Sequence, residues 1–158
     1  MKLSRKIKIY RMRENAKVPV RAHSTDAGMD VFWSPSGKKD FNVGWVVLKP
    51  GQSHVFETGL KIEVPPNYML QVMNKSGIAS KKSLVAGACV IDSGYDGEIF
   101  INLHNIGNKD QYIEPGQKLA QLVMIPVITP ELVEILEDNV YEFETSRGTG
   151  GFGSTGDN

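Results

Sequence analysis

The chain has 158 residues, 41% of them apolar, which is enough for one ordinary domain with its own core. Lysine plus arginine balances aspartate plus glutamate at 18 each, so no overall field draws the protein to nucleic acid or to an anionic membrane. Met1 to Lys8 is basic but lacks the apolar run of roughly 7 to 15 residues of a signal peptide, and no stretch reaches the roughly 18 apolar residues of a membrane span; a soluble, cytoplasmic protein is expected.

Short apolar runs separated by Gly, Pro, Asn and Asp predict an all-β fold. In chain order, strands are predicted over residues 7–10, 29–33, 43–48, 54–62, 68–73, 84–91, 98–104 and 118–126. Eight such strands suit a jelly-roll β-sandwich or barrel. Residues 34–41 read as a polar loop. Lys49-Pro50-Gly51 and Glu114-Pro115-Gly116 place Pro before Gly, as a type II turn prefers, and Asp96-Gly97 reads as the tip of a hairpin. One short helix is predicted over residues 76–84, with the Ser76 hydroxyl able to cap its free amides. Residues 130–137 fit a helical face nearly as well as a strand. Residues 140–144 alternate like a strand, whereas 147–156 are mostly Gly, Ser and Thr with little to bury. Residues 1–137 are therefore expected to form the β domain, and 138–158 a flexible C-terminal arm. Cys89 is expected to be an inert, half-buried thiol, and the scattered His23, His54 and His104 to be structural or at the surface.

Three segments carry candidate chemistry. The glycines of the segment from Arg147 to Gly156 formally match a dinucleotide fingerprint, but no helix follows and there is no βαβ unit. The segment does offer a guanidinium, the aromatic face of Phe152, hydroxyls and unhindered amides, a set suited to an anion joined to a planar ring; a plain Gly-rich tail is the alternative. Asp92 ends an apolar strand, where a general base could hold water against an electrophile, with the Tyr95 ring beside it; equally, they could be a turn-forming Asp and a packing residue. Lys75, Ser76 and Gly77 put a cation, a hydroxyl and a glycine at a helix start, where amides favour phosphate, although the segment is not a Walker A loop and a simple cap would look similar.

Five segments together are more specific. Asp26-Ala27-Gly28-Met29-Asp30, Lys75-Ser76-Gly77-Ile78-Ala79, Gly87 through Glu98, Pro115 through Leu122 and Arg147 through Gly156 resemble, in order, the five motifs of the trimeric dUTPase family, and they span nearly the whole chain. The resemblance implies a homotrimer of jelly rolls with shared active sites, hydrolysing dUTP to dUMP and pyrophosphate. It makes Asp92 the general base, Tyr95 the ring against deoxyribose, and the backbone around Val90 and Ile91 the reader of uracil. Lys75, Ser76, Gly77 and Gln121 would hold phosphates. The arm would close as a lid, with Phe152 over uracil and Arg147, Gly153, Ser154 and Thr155 near the terminal phosphate. Mg2+ would be held mainly by the substrate, with Asp30 ordering the site near it. Lys75 and Lys118 stand where the family usually has Arg, and Cys89 where it has Gly. A dCTP deaminase shares the fold and parts of the motifs, and a nucleotide-sensing module and a structural coat component are readings from other classes.

Overall fold

The computed structural model describes residues 6–37, 44–136 and 140–151. The chain divides into two compact units, Met1–Ile128 and Thr129–Asn158, and every strand and helix of the described residues lies in the first. That unit is an all-β jelly roll with one short helix. A four-stranded sheet has the order β2 (Met29–Phe32), β11 (Lys118–Pro126), β6 (Tyr68–Met73), β8 (Val90–Ile91). A three-stranded sheet has the order β4 (Ser53–Glu57), β9 (Phe100–Asn105), β7 (Leu84–Ala86). Two ribbons complete it, β1 (Ile9–Arg11) with β5 (Leu60–Ile62) and β3 (Val46–Leu48) with β10 (Gln111–Ile113). All of these pairings are antiparallel.

Period-two alternation determines what each strand buries. Phe100–Asn105 turns Ile101 and Leu103 inward, and Tyr68–Met73 turns Leu70 and Val72 inward, so both sheets feed one core with Phe56, Leu60, Leu119 and Leu122. Trp33 meets Phe56 edge to face at 5.3 Å between ring centres.

The two long strands 68–73 and 118–126 fall where alternation predicts them, and both Pro-Gly turns form, closed by Gln52 N–H to Lys49 O and Gln117 N–H to Glu114 O, each at 3.0 Å. Other expectations are corrected. Residues 54–62 are two strands in different sheets, because the chain turns at Gly59, whose φ of +71° is left-handed and whose added Cβ would lie 2.7 Å from the Ala16 Cβ. Residues 84–91 likewise break at Gly87 to Cys89 into β7 and β8. No hairpin forms at Asp96-Gly97: β8 pairs with β6, whereas β9 pairs with β4 and β7. The chain turns earlier, with Tyr95 N–H donating to Asp92 O at 3.3 Å and Gly94 at φ +85°. Strand β10 escapes prediction, because three residues give too short an alternation. The helix α1 (Ser76–Lys82) is capped by the extended Lys75, with no side-chain cap, so the Ser76 hydroxyl does not serve the expected role. Among the described residues of 130–137 and 140–144 there is neither helix nor strand. No described helix is long and apolar enough to cross a membrane.

Candidate active site

The chemistry-bearing residues of the β unit fall into two clusters. The first lies on the face of the four-stranded sheet turned away from the core. Gln121 of β11 is opposite Asp30 of β2 on one side and Met73 of β6 on the other. In a regular strand Lys118 and Gln121 would point to opposite faces. A bulge between Lys118 and Ala120 inserts one residue and restores phase, so Lys118 faces the same way as Asp30.

Asp30 is 5% exposed, and each of its oxygens is taken by one ammonium: Oδ1 by Lys75 at 2.8 Å and Oδ2 by Lys118 at 2.6 Å. Burial pushes its carboxyl pKa up, but the hydrogen bonds and charges of Lys118 and Lys75 outweigh this and hold it below the ordinary value. Two lysines thus divide the work one arginine fork would do. They leave the cluster one positive charge in excess, and both side chains are partly open to solvent. Gln121 donates from Nε2 to Asn74 O at 3.0 Å, and its side chain lies over Gly28, where an added Cβ would come within 2.0 Å of its Oε1. Ser76 is exposed, and the position of a Cβ on Gly77 meets nothing within 4 Å. These groups make a cationic cluster beside the first turn of α1, where Ile78 N–H and Ala79 N–H both donate to Lys75 O at 2.9 Å.

The second cluster surrounds Asp92. The edge strand β8 ends at Ile91, and exposed Asp92 follows at the rim of a cavity of about 200 Å³ lined also by Val90, Ile91, Tyr95 and Phe100. Ser93 Oγ donates to Val64 O at 3.1 Å and Tyr95 OH to Glu98 O at 2.8 Å, which pins the turn at both ends. Cys89 is half-buried as expected; its Sγ lies 3.7 Å from Gly87 O, while its carbonyl accepts from Val72 N–H at 2.8 Å and joins β8 to β6. Cys89 thus keeps its main chain in the sheet.

Asp92 and the lysine cluster are far apart within one chain. Ile91 pairs with Leu70, so Asp92 comes level with Met69, whereas Asp30 is level with Met73. Three strand spacings of about 4.8 Å and four rises of about 3.3 Å give a separation of about 20 Å.

In the second unit, exposed Arg147 donates from Nε to Gly150 O at 2.9 Å, and Gly148 N–H donates to Thr145 O at 3.1 Å. Phe152, Gly153, Ser154 and Thr155 lie outside the described residues. His23 is exposed, His54 packs on Phe56 at 4.6 Å, and His104 lies against Gly87. No cluster of three or more His, Cys, Asp or Glu able to hold a metal occurs among the described residues. With both its oxygens engaged by ammonium groups, Asp30 does not offer an inner metal ligand. The sequence singled out Asp30, Lys75 and Gln121, and Gly28 only as part of its motif, because seating Gln121 is a contact between strands.

The β unit is thus a jelly roll that carries a lysine-rich cluster beside α1 and a cleft rimmed by Asp92. Residues 14–156 match the dUTPase family model. The chain is 37% identical to deoxyuridine 5'-triphosphate nucleotidohydrolase of Clostridium novyi (strain NT), over 96% of its length and 99% of the relative's. It is 39% identical to the protein of the same name from Clostridium tetani, over 95% and 96%. Its fold is similar to that of the dUTPase of Staphylococcus bacteriophage 80alpha, solved with dUPNHPP, at a TM-score of 0.84 and 30% identity, covering 97% of this chain and 99% of that one. The chain belongs to the dUTPase family.

Proposed function

We propose that the chain hydrolyses dUTP to dUMP and pyrophosphate by in-line attack of an Asp92-activated water on the α-phosphate. The observation that carries this is the grouping of the motif residues into two clusters, one around Asp92 and one around Lys75 and Asp30, which this reading takes as a base-and-sugar half and a phosphate half. The dUTPase family model spans both.

At the first half, β8 is an edge strand, so one side of its Val90–Ile91 backbone pairs with β6 and the other offers donors and acceptors to the polar edge of uracil. The Tyr95 ring packs against deoxyribose where a 2'-hydroxyl would collide. Asp92 accepts the proton of the attacking water, which needs a carboxylate at hydrogen-bond reach of a solvent-accessible position. At the second half, Lys75 and Gln121 with the Ser76 and Gly77 backbone and hydroxyl hold phosphate oxygens, and Asp30 keeps Lys75 in place. Fixed cations and amides lower the barrier to water attacking an already anionic group. Mg2+, held mainly by the substrate, would supply neutralisation of phosphate charge, and Asp30 would order the lysines near it. This reading also counts Arg147, Phe152, Gly153, Ser154 and Thr155 as substrate-binding residues.

The separation of about 20 Å between the Asp92 and Asp30 main chains, from strand and residue spacings, exceeds the span from an α-phosphate to a terminal phosphate. We infer that each site joins the Asp92 half of one copy to the Lys75 half of another. Such a head-to-tail contact closes as a ring, here a homotrimer with three shared sites.

Pyrophosphate release compared across dUTP, dTTP, dCTP and UTP tests the assignment. The expected result is rapid release from dUTP with little from the other three; equal release from UTP, or ammonia release from dCTP, would contradict it.

A further inference from the structure

The loop carrying Tyr95 is tied to a partly buried ion pair made with Arg13. The Tyr95 hydroxyl donates to the main-chain oxygen of Glu98 at 2.8 Å. The ring lies directly over Gly97: a Cβ there would come 2.3 Å from the hydroxyl oxygen and 2.4 Å from Cζ. The residue between Tyr95 and Glu98 that faces the ring must therefore lack a side chain.

Glu98 itself is held from three directions. Its carboxylate is gripped by both terminal nitrogens of Arg13, one of them at 3.3 Å, and accepts the Gly59 N–H at 2.7 Å. Arg13 also donates from Nε to Ser34 O at 2.8 Å, so each of the three guanidinium nitrogens makes a hydrogen bond. The side chains of Arg13 and Glu98 are 18% and 11% exposed. A fork so placed fixes orientation as well as charge, which a point-charge ammonium does not.

We propose that Arg13, 85 residues from Glu98 in sequence, is a positioning residue for sugar selection, acting through Glu98 and over Gly97 to fix the Tyr95 ring. This rests on the reading of Tyr95 as the ring that rejects a 2'-hydroxyl. A loosened ring leaves room for the extra oxygen of a ribonucleotide while the phosphate half is unaffected. Arg13 and Gly97 thus determine specificity without touching substrate.

The test compares kcat/KM for dUTP with that for UTP in the full-length Arg13→Lys and Gly97→Ala proteins, with Tyr95→Ala as control. Folding is checked by thermal melting. A misplacement of a substrate-positioning group costs up to about 100-fold, so the dUTP preference is expected to fall by roughly tenfold or more in both variants. The fall should come mainly from a gain on UTP, with kcat on dUTP retained. Gly97→Ala leaves the ion pair intact and tests the ring's seat alone, so Glu98→Gln, with the same expected fall, takes the place of Arg13→Lys if that variant does not fold. If Tyr95→Ala loses the preference but the folded variants keep it, the positioning role is overturned and the sugar reading stands. If Tyr95→Ala keeps the preference, the sugar reading itself falls and this inference with it.

Discussion

The Asp30 carboxylate meets the Lys75 ammonium at 2.8 Å, joining residues 45 positions apart from the outer strand of a sheet and the cap of its one helix. Lys118 takes the other oxygen, so three charges that are scattered in sequence meet around one buried carboxylate.

Replacing Asp30 with Asn leaves two neighbouring ammonium groups without their counter-ion. Loss of hydrogen bonds to a charged group predicts a stability decrease of about 2 kcal/mol at neutral pH, measured by urea unfolding. The folded pKa of Asp30 lies below its ordinary value of 3.8. The wild-type advantage should therefore be complete above that value and disappear as pH falls through the folded one. A stability difference that grows on acidification would contradict the pairing.

Gly28→Ala tests the seat of Gln121. Its Cβ would stand 2.0 Å from Gln121 Oε1, so the amide must swing away and release Asn74 O. Because Gln121 sits on the phosphate half, KM for dUTP should rise by roughly tenfold, with kcat changed less. Steady-state kinetics check this, and an unchanged KM would show that Gln121 does not contact substrate.

Asp92→Asn preserves shape but removes the proton acceptor. Asp92 is exposed and outside the core, so melting should be unaffected, and dUTP should still bind. General-base loss predicts a kcat lower by roughly 100-fold to 10,000-fold. Single-turnover rates near those of the wild type would remove Asp92 from its role.

Where a strand was long and its alternation clean, as in Tyr68–Met73 and Lys118–Pro126, side-chain pattern sufficed to place it. It failed where the chain changes partner within an apolar run. Gly59 interrupts the pattern by a single residue, yet it moves the chain from β9's partner to β1's, a choice made by the tertiary contact with Ala16. Asp96-Gly97 carried a hairpin signature, but Gly97 is small because the Tyr95 ring covers it. Of the candidate site residues, Asp30, Lys75, Gln121 and Asp92 are picked out by motif. Their grouping into two distant halves was not, because it depends on strand order and on the bulge after Lys118.

The shared site is tested most directly by mixing two variants, Asp92→Asn and Lys75→Gln, each inactive alone. Lys75→Gln leaves Lys118 on Asp30, so the fold should hold. If each site takes Asp92 from one copy and Lys75 from the next around a closed ring, random reassembly of equal amounts leaves about a quarter of the sites intact. About that fraction of wild-type dUTP hydrolysis should appear after mixing under conditions that exchange subunits. No recovery among demonstrably mixed oligomers, or a fully active monomer by light scattering, would contradict the shared site.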